Sequence, residues 1–90
     1  MTEPRDTKIK RLRMRSMRRG IKEMDLILQA FAETHLNGFS DQALVLYDQL
    51  LLENDHDIYG WIGGQLPTPA QYLDLVTQIA LEAEGVTRPD

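Results

Sequence analysis

No window of this 90-residue chain alternates apolar and polar residues with period two; where apolar residues recur, they do so at three and four. A half-buried strand needs the first spacing and an amphipathic helix the second, so the pattern predicts helices alone. Residues 8–19 form a first helix, carrying Ile9, Leu12, Met14 and Met17 among cations. A second runs from about Ile21 to Leu36, with Ile21, Met24, Ile27, Leu28 and Phe31 on one face, opposite Lys22, Asp25, Gln29 and Glu33. Asn37-Gly38 stops it. Ser40 is a suitable N-cap for a third helix reaching Glu53, with Leu44, Tyr47, Leu50 and Leu51 as its inward stripe. Asn54-Asp55 starts a short fourth helix carrying Ile58, Tyr59, Trp61 and Ile62, which Gly63-Gly64 ends. Thr68-Pro69-Ala70-Gln71 reads as a capping box with proline at the first helical position, opening a fifth helix to about Glu84. Tyr72, Val76, Ile79, Ala80 and Ala83 face inward on it. The expectation is an all-α bundle of about five helices with short loops, one domain over residues 8–85 between a flexible N-terminus (1–7) and a flexible tail (86–90).

The net charge of −4 conceals an asymmetry. Residues 1–22 hold nine of the ten Lys/Arg against Glu3 and Asp6, a net of +7; the remainder holds Arg88 against twelve acids, a net of −11. Such a split suits a basic arm for nucleic acid, with Lys10, Arg11, Arg13 and Arg15 on phosphates. It equally suits a cationic helix packed on an acidic bundle, or a surface that orients a protein partner. No aromatic residues interleave with these cations, and the acidic remainder opposes a nucleic-acid strand.

Catalytic and metal signatures are lacking. There are no cysteines, which excludes disulfides and cysteine-based zinc sites. His35 and His56 sit in different elements, and Asp55-His56-Asp57 cannot converge within a helix, because neighbours at i+1 and i+2 do not share a face. Ser16 and Ser40 have no nucleophile context. Gly60, Gly63 and Gly64 follow no strand, so they read as a glycine-rich helix end and not a phosphate cradle. No apolar run approaches the roughly 18–20 residues that cross a membrane, which points to a soluble protein without membrane insertion. An apolar secretion segment is missing at the N-terminus, and Glu3 and Asp6 argue against a mitochondrial presequence, so the expected location is the bacterial cytoplasm.

The junction Arg18-Arg19-Gly20-Ile21-Lys22-Glu23 joins the cationic helix to the amphipathic one. Glycine takes positive φ cheaply, which makes Gly20 the natural end of the first helix. Glu23 falls in the first turn of the second, where its charge complements the helix dipole. An arginine and a carboxylate are thereby expected together at a rigid corner. That corner is either a contact site or an internal Arg19–Glu23 staple.

Arg19, Gly20 and Glu23 compose an Arg-Gly-x-x-Glu motif, preceded by Arg18 and continued by Met24-Asp25. Phe31-Ala32-Glu33-Thr34-His35-Leu36, Leu46-Tyr47-Asp48-Gln49-Leu50-Leu51, Asn54-Asp55-His56-Asp57-Ile58-Tyr59-Gly60-Trp61 and Pro67 follow in order. From about Leu12 to Ala80 the chain resembles the small assembly factors that promote covalent attachment of FAD to the flavoprotein subunit of succinate dehydrogenase. The resemblance implies a non-enzymatic protein that binds that subunit, and in some bacteria the fumarate reductase flavoprotein. It implies no stably bound cofactor, the FAD being the client's, joined through its 8α-methyl to a client histidine. It also implies that Arg19, Gly20 and Glu23 meet the client, with Arg15 and Arg18 supporting. Gly63-Gly64 departs from the family's pattern by ending the fourth helix abruptly. A monomer or a weak homodimer through exposed residues such as Met14 or Leu52 is expected.

Overall fold

The computed structural model describes residues 3–87, with side chains to residue 84. Five helices occur among these residues: α1 (Arg5–Arg15), α2 (Lys22–His35), α3 (Asp41–Leu51), α4 (Asp55–Gly63) and α5 (Leu73–Thr87). Short 3-10 turns, Leu36–Gly38 and Ala70–Tyr72, precede α3 and α5. The all-α expectation is met, and the α2 and α3 stripes fall where the periodicity places them. Met24, Ile27, Leu28 and Phe31 are buried with Leu44, Tyr47, Leu50 and Leu51, while Ile21 packs at the margin. α2 is central, lying mainly against α5 and also against α1. The tail expected at 86–90 falls largely outside the described residues, α5 running to Thr87.

Local chemistry explains three element ends. The Ser40 hydroxyl accepts from the Ala43 N–H (3.1 Å) at the start of α3, and the Asn54 side chain accepts from the His56 N–H (2.8 Å) at the start of α4. Gly64, at φ 81°, closes α4 in the left-handed conformation.

Three details differ from the sequence expectation. The first helix begins at Arg5 and stops at Arg15, because residues 16–18 form a turn; Met17 falls in that turn and is exposed, as the helical Met14 is, leaving Ile9 and Leu12 as the buried pair. The capping box does not form. Pro69 is extended (ψ 143°), so the chain turns only after it, and no side chain caps the 3-10 turn that follows. Leu75 joins the α5 stripe as a further buried residue.

The basic helix is partly consumed by the fold. Arg5 donates to Asp41 (3.0 Å) and to the carbonyls of Asn37 (3.0 Å) and Phe39 (2.6 Å), tying the start of α1 to the entry of α3. Two turns along α3, Asp48 receives Arg11, whose Nη2 lies 2.9 Å from Oδ2, while Arg11 Nε donates to Glu3 (2.9 Å). The Arg11 guanidinium holds the Asp48 and Glu3 carboxyls below their ordinary values. A carboxyl depressed in the folded state adds stability that is complete above its unfolded pKa and lost as pH falls through its folded one. Asp48→Asn is therefore expected to flatten the acid side of a Tm–pH profile below about pH 4, where carboxylates begin to protonate. At neutral pH it should remove no more than about 1 kcal/mol, the pair being half-exposed. An unchanged acid limb would refute the linkage.

Candidate functional site: the Arg19 corner

The chain reverses between α1 and α2 through Arg18, the one described non-glycine residue at positive φ (56°). Gly20 is not in that region, contrary to the expectation that it supplies the left-handed turn. Its lack of a side chain serves a close approach instead. The Gly20 N–H donates to Asp55 Oδ2 at 2.8 Å, and a Cβ there would stand 3.2 Å from the same oxygen. A non-glycine residue in the left-handed region costs about 1–2 kcal/mol, so the bonds that fix Arg19 and Gly20 just beyond it have to hold Arg18 there.

Arg19 is the keystone. Its side chain is only 13% exposed. Nη1 donates to the Arg15 carbonyl (2.9 Å) and Nη2 to the Leu51 carbonyl (2.8 Å), which end α1 and α3. Nε donates to Asp55 Oδ1 (2.8 Å), at the first residue of α4. Its backbone N–H donates to Asp25, in the first turn of α2. Two helix C-termini thus receive a cation, and acids at two N-termini answer its guanidinium (Asp55) and its backbone N–H (Asp25). Each placement is the one favoured by the helix dipole. The bidentate use of Asp55, one oxygen for the guanidinium and one for the Gly20 amide, orients the corner as a unit.

Behind it lies a buried polar pair. The Ser16 hydroxyl donates to the Leu12 carbonyl (2.8 Å) and shares a 2.6 Å hydrogen bond with the Tyr47 hydroxyl. Burial pushes the Tyr47 phenol up to about 12, with the Ser16 bond and the nearby Arg19 charge opposing.

The outer face differs in kind. Arg15, Arg18, Lys22 and Glu23 are exposed. The Glu23 carboxylate has no hydrogen bond or ion pair to any described residue, so the internal Arg19–Glu23 staple does not form; Arg19 is taken by Asp55. The motif is thereby divided into an internal arginine, a glycine at the boundary and an external glutamate. Asp55, Asp25 and the Leu51 carbonyl are members of the corner that sequence reasoning missed. Asp55 stood inside the acidic-aromatic segment, but a lone aspartate opening a helix reads as dipole chemistry alone. Elsewhere, His35 is spoken for by Glu82 on α5 (2.6 Å), and no described group of His, Asp and Glu could hold a metal ion.

These features define a class: a small all-α bundle with a tight corner that is buttressed from within and charged without. The chain belongs to the family described as flavinator of succinate dehydrogenase, which it matches over residues 10–82. It is 42% identical to succinate dehydrogenase assembly factor 2-A, mitochondrial, of Drosophila yakuba, over 96% of this chain and 57% of that one. Assembly factor 2-B, mitochondrial, of Drosophila pseudoobscura pseudoobscura is 40% identical, and assembly factor 2, mitochondrial, of Drosophila grimshawi 38%, each over 96% of this chain and over 58% and 63% of theirs. The chain therefore spans somewhat more than half the length of these curated relatives. Their names overturn the expectation of a bacterial cytoplasmic protein. The matching segment is only part of each relative, so the missing apolar segment and the acids Glu3 and Asp6 are no guide to compartment.

Proposed function

We propose that this chain binds the flavoprotein subunit of succinate dehydrogenase and promotes covalent attachment of its FAD, without catalysing the bond or holding a flavin itself. The supporting observation is the division of the corner. Arg19 and Asp55 consume their bonding capacity inside, so the backbone at Gly20 is fixed, while Glu23 and Arg18 stand outside with no internal partner. Groups placed in this way are ready to meet complementary charges on a client without first breaking bonds of their own. Glu23, Arg18 and Arg15 make the charged contacts, Gly20 lets the client approach closely, and Arg19 acts from beneath. The chemical gain is one of orientation: a client held in one conformation presents its histidine to the flavin in reactive geometry. The fumarate reductase flavoprotein is a second client on the same reading. The protein acts as a monomer or a weak homodimer, Met14 and Leu52 being 68% and 70% exposed.

A nucleic-acid role has no comparable support, since Arg11 is bonded to Glu3 and Asp48. The test is co-expression with a succinate dehydrogenase flavoprotein subunit, scored by pull-down and by flavin fluorescence of the denatured client on a gel. Wild type should bind and raise covalent flavin. Glu23→Ala should weaken both, by about tenfold in affinity for one lost charged contact. No binding and no change in flavinylation would sink the reading.

A further inference from the structure

An apolar groove of about 510 Å3 runs between α2, α4 and α5, at the far end of α4 from the Arg19 corner. Ile27 and Val76 form its floor; Trp61, Ile62, Ala80 and Leu81 line its sides. The aromatic wall is braced. Trp61 stacks on Tyr72 (centroids 5.7 Å apart, 30° between planes), and the Tyr72 hydroxyl donates to Glu53 at 2.8 Å. Gly63, also lining the groove, brings no side chain to it. A Cβ at Gly63 would collide with the Gln65 side chain.

We propose that the groove docks a short amphipathic segment of a partner protein, with an apolar side chain seated between Trp61 and Leu81 and lysines or arginines along its flanks. Leu81, 69% exposed at the lip, selects a segment over a small molecule. A ligand confined to the floor would leave Leu81 in water, whereas a helix or strand running across the lip buries it. Charge selects the sign of the flanks. Asp57 lies one turn before Trp61 on α4. On α5, Asp74 lies one turn before the lining residue Thr77, and both aspartates are exposed. No Lys or Arg lies among the described lining residues. This rim repels the anionic surface of a membrane and attracts a basic segment. The two ends of α4 therefore serve opposite electrostatics, with cations about the corner and acids about the groove.

Trp61 is the single tryptophan of the chain, so its emission reports the groove directly. The full chain is titrated with a blocked helical peptide bearing leucines at three-and-four spacing and lysines elsewhere. A saturable change in Trp61 emission is expected. Replacing the lysines by glutamates should weaken binding by about tenfold or more, as for reversed charges at an interface. Leu81→Ser should weaken it by about tenfold, the loss of one buried apolar anchor, with Tm unchanged. Glu23→Ala should bind this peptide as wild type does, which separates the groove from the client corner. A lack of saturation, equal binding of lysine and glutamate peptides, or indifference to Leu81→Ser would each overturn the proposal. A loss caused by Glu23→Ala would assign the peptide to the corner and overturn it likewise.

Discussion

Asp55→Ala is expected to destabilise the bundle by about 2–3 kcal/mol, because it strips both the Arg19 guanidinium and the Gly20 amide of their shared acceptor. For a domain of this size that is a fall in Tm of roughly 10–20 °C. Arg19→Ala should cost about as much. The double variant should cost well under the sum of the two, with a coupling of about 1–2 kcal/mol, because each change already removes what the other depends on. Additive losses in denaturant melts would refute the keystone. The estimate lies below the range for a fully buried pair, since the Asp55 side chain keeps 23% exposure and some solvent screening. Glu23→Ala, made alongside, should stay within about 0.5 kcal/mol of wild type, as surface substitutions without partners do.

Gly20→Arg should lower client affinity by about a hundredfold or more, the scale of losing an interface hot spot, while helical circular dichroism and cooperative melting persist. The expectation rests on two constraints at one atom. A Cβ at Gly20 stands only 3.2 Å from Asp55 Oδ2, so the backbone must shift slightly, and a long cation then projects from the boundary between the internal arginine and the external glutamate. The shift should cost about 1 kcal/mol, typical of a modest steric change. Collapse of the fold together with binding would make Gly20 a purely structural residue and remove it from the contact surface.

Much of the architecture was legible because helical period and turn residues act locally. The α2 and α3 stripes, the Ser40 and Asn54 caps and the Gly64 stop each depend on residues within a few positions of one another. What was not legible depends on partners far along the chain. Arg19 meets Asp55 across 36 positions and the Leu51 carbonyl across 32. A motif read alone therefore leaves an Arg19–Glu23 staple open beside a contact site, Glu23 being the nearer carboxylate. The left-handed turn was assigned to Gly20 by conformational preference, yet the chain places it at Arg18 and uses the glycine for space. Thr68 fails as a cap for a local reason that was misjudged: Pro69 can open a helix, but here it remains extended and the turn begins after it. The exposure of Met17 follows from the turn that ends α1 at Arg15, short of the end at residue 19 that helical period suggests.

The bond between Arg19 and Asp55 also bears on heredity. Two codons 36 positions apart specify one physical object, so neither is free to drift while the other stays. Arg15, Arg18 and Glu23 carry no such obligation. After a gene duplication they are the positions at which a copy could be retuned to a different client, with the pair at residues 19 and 55 descending intact beneath them.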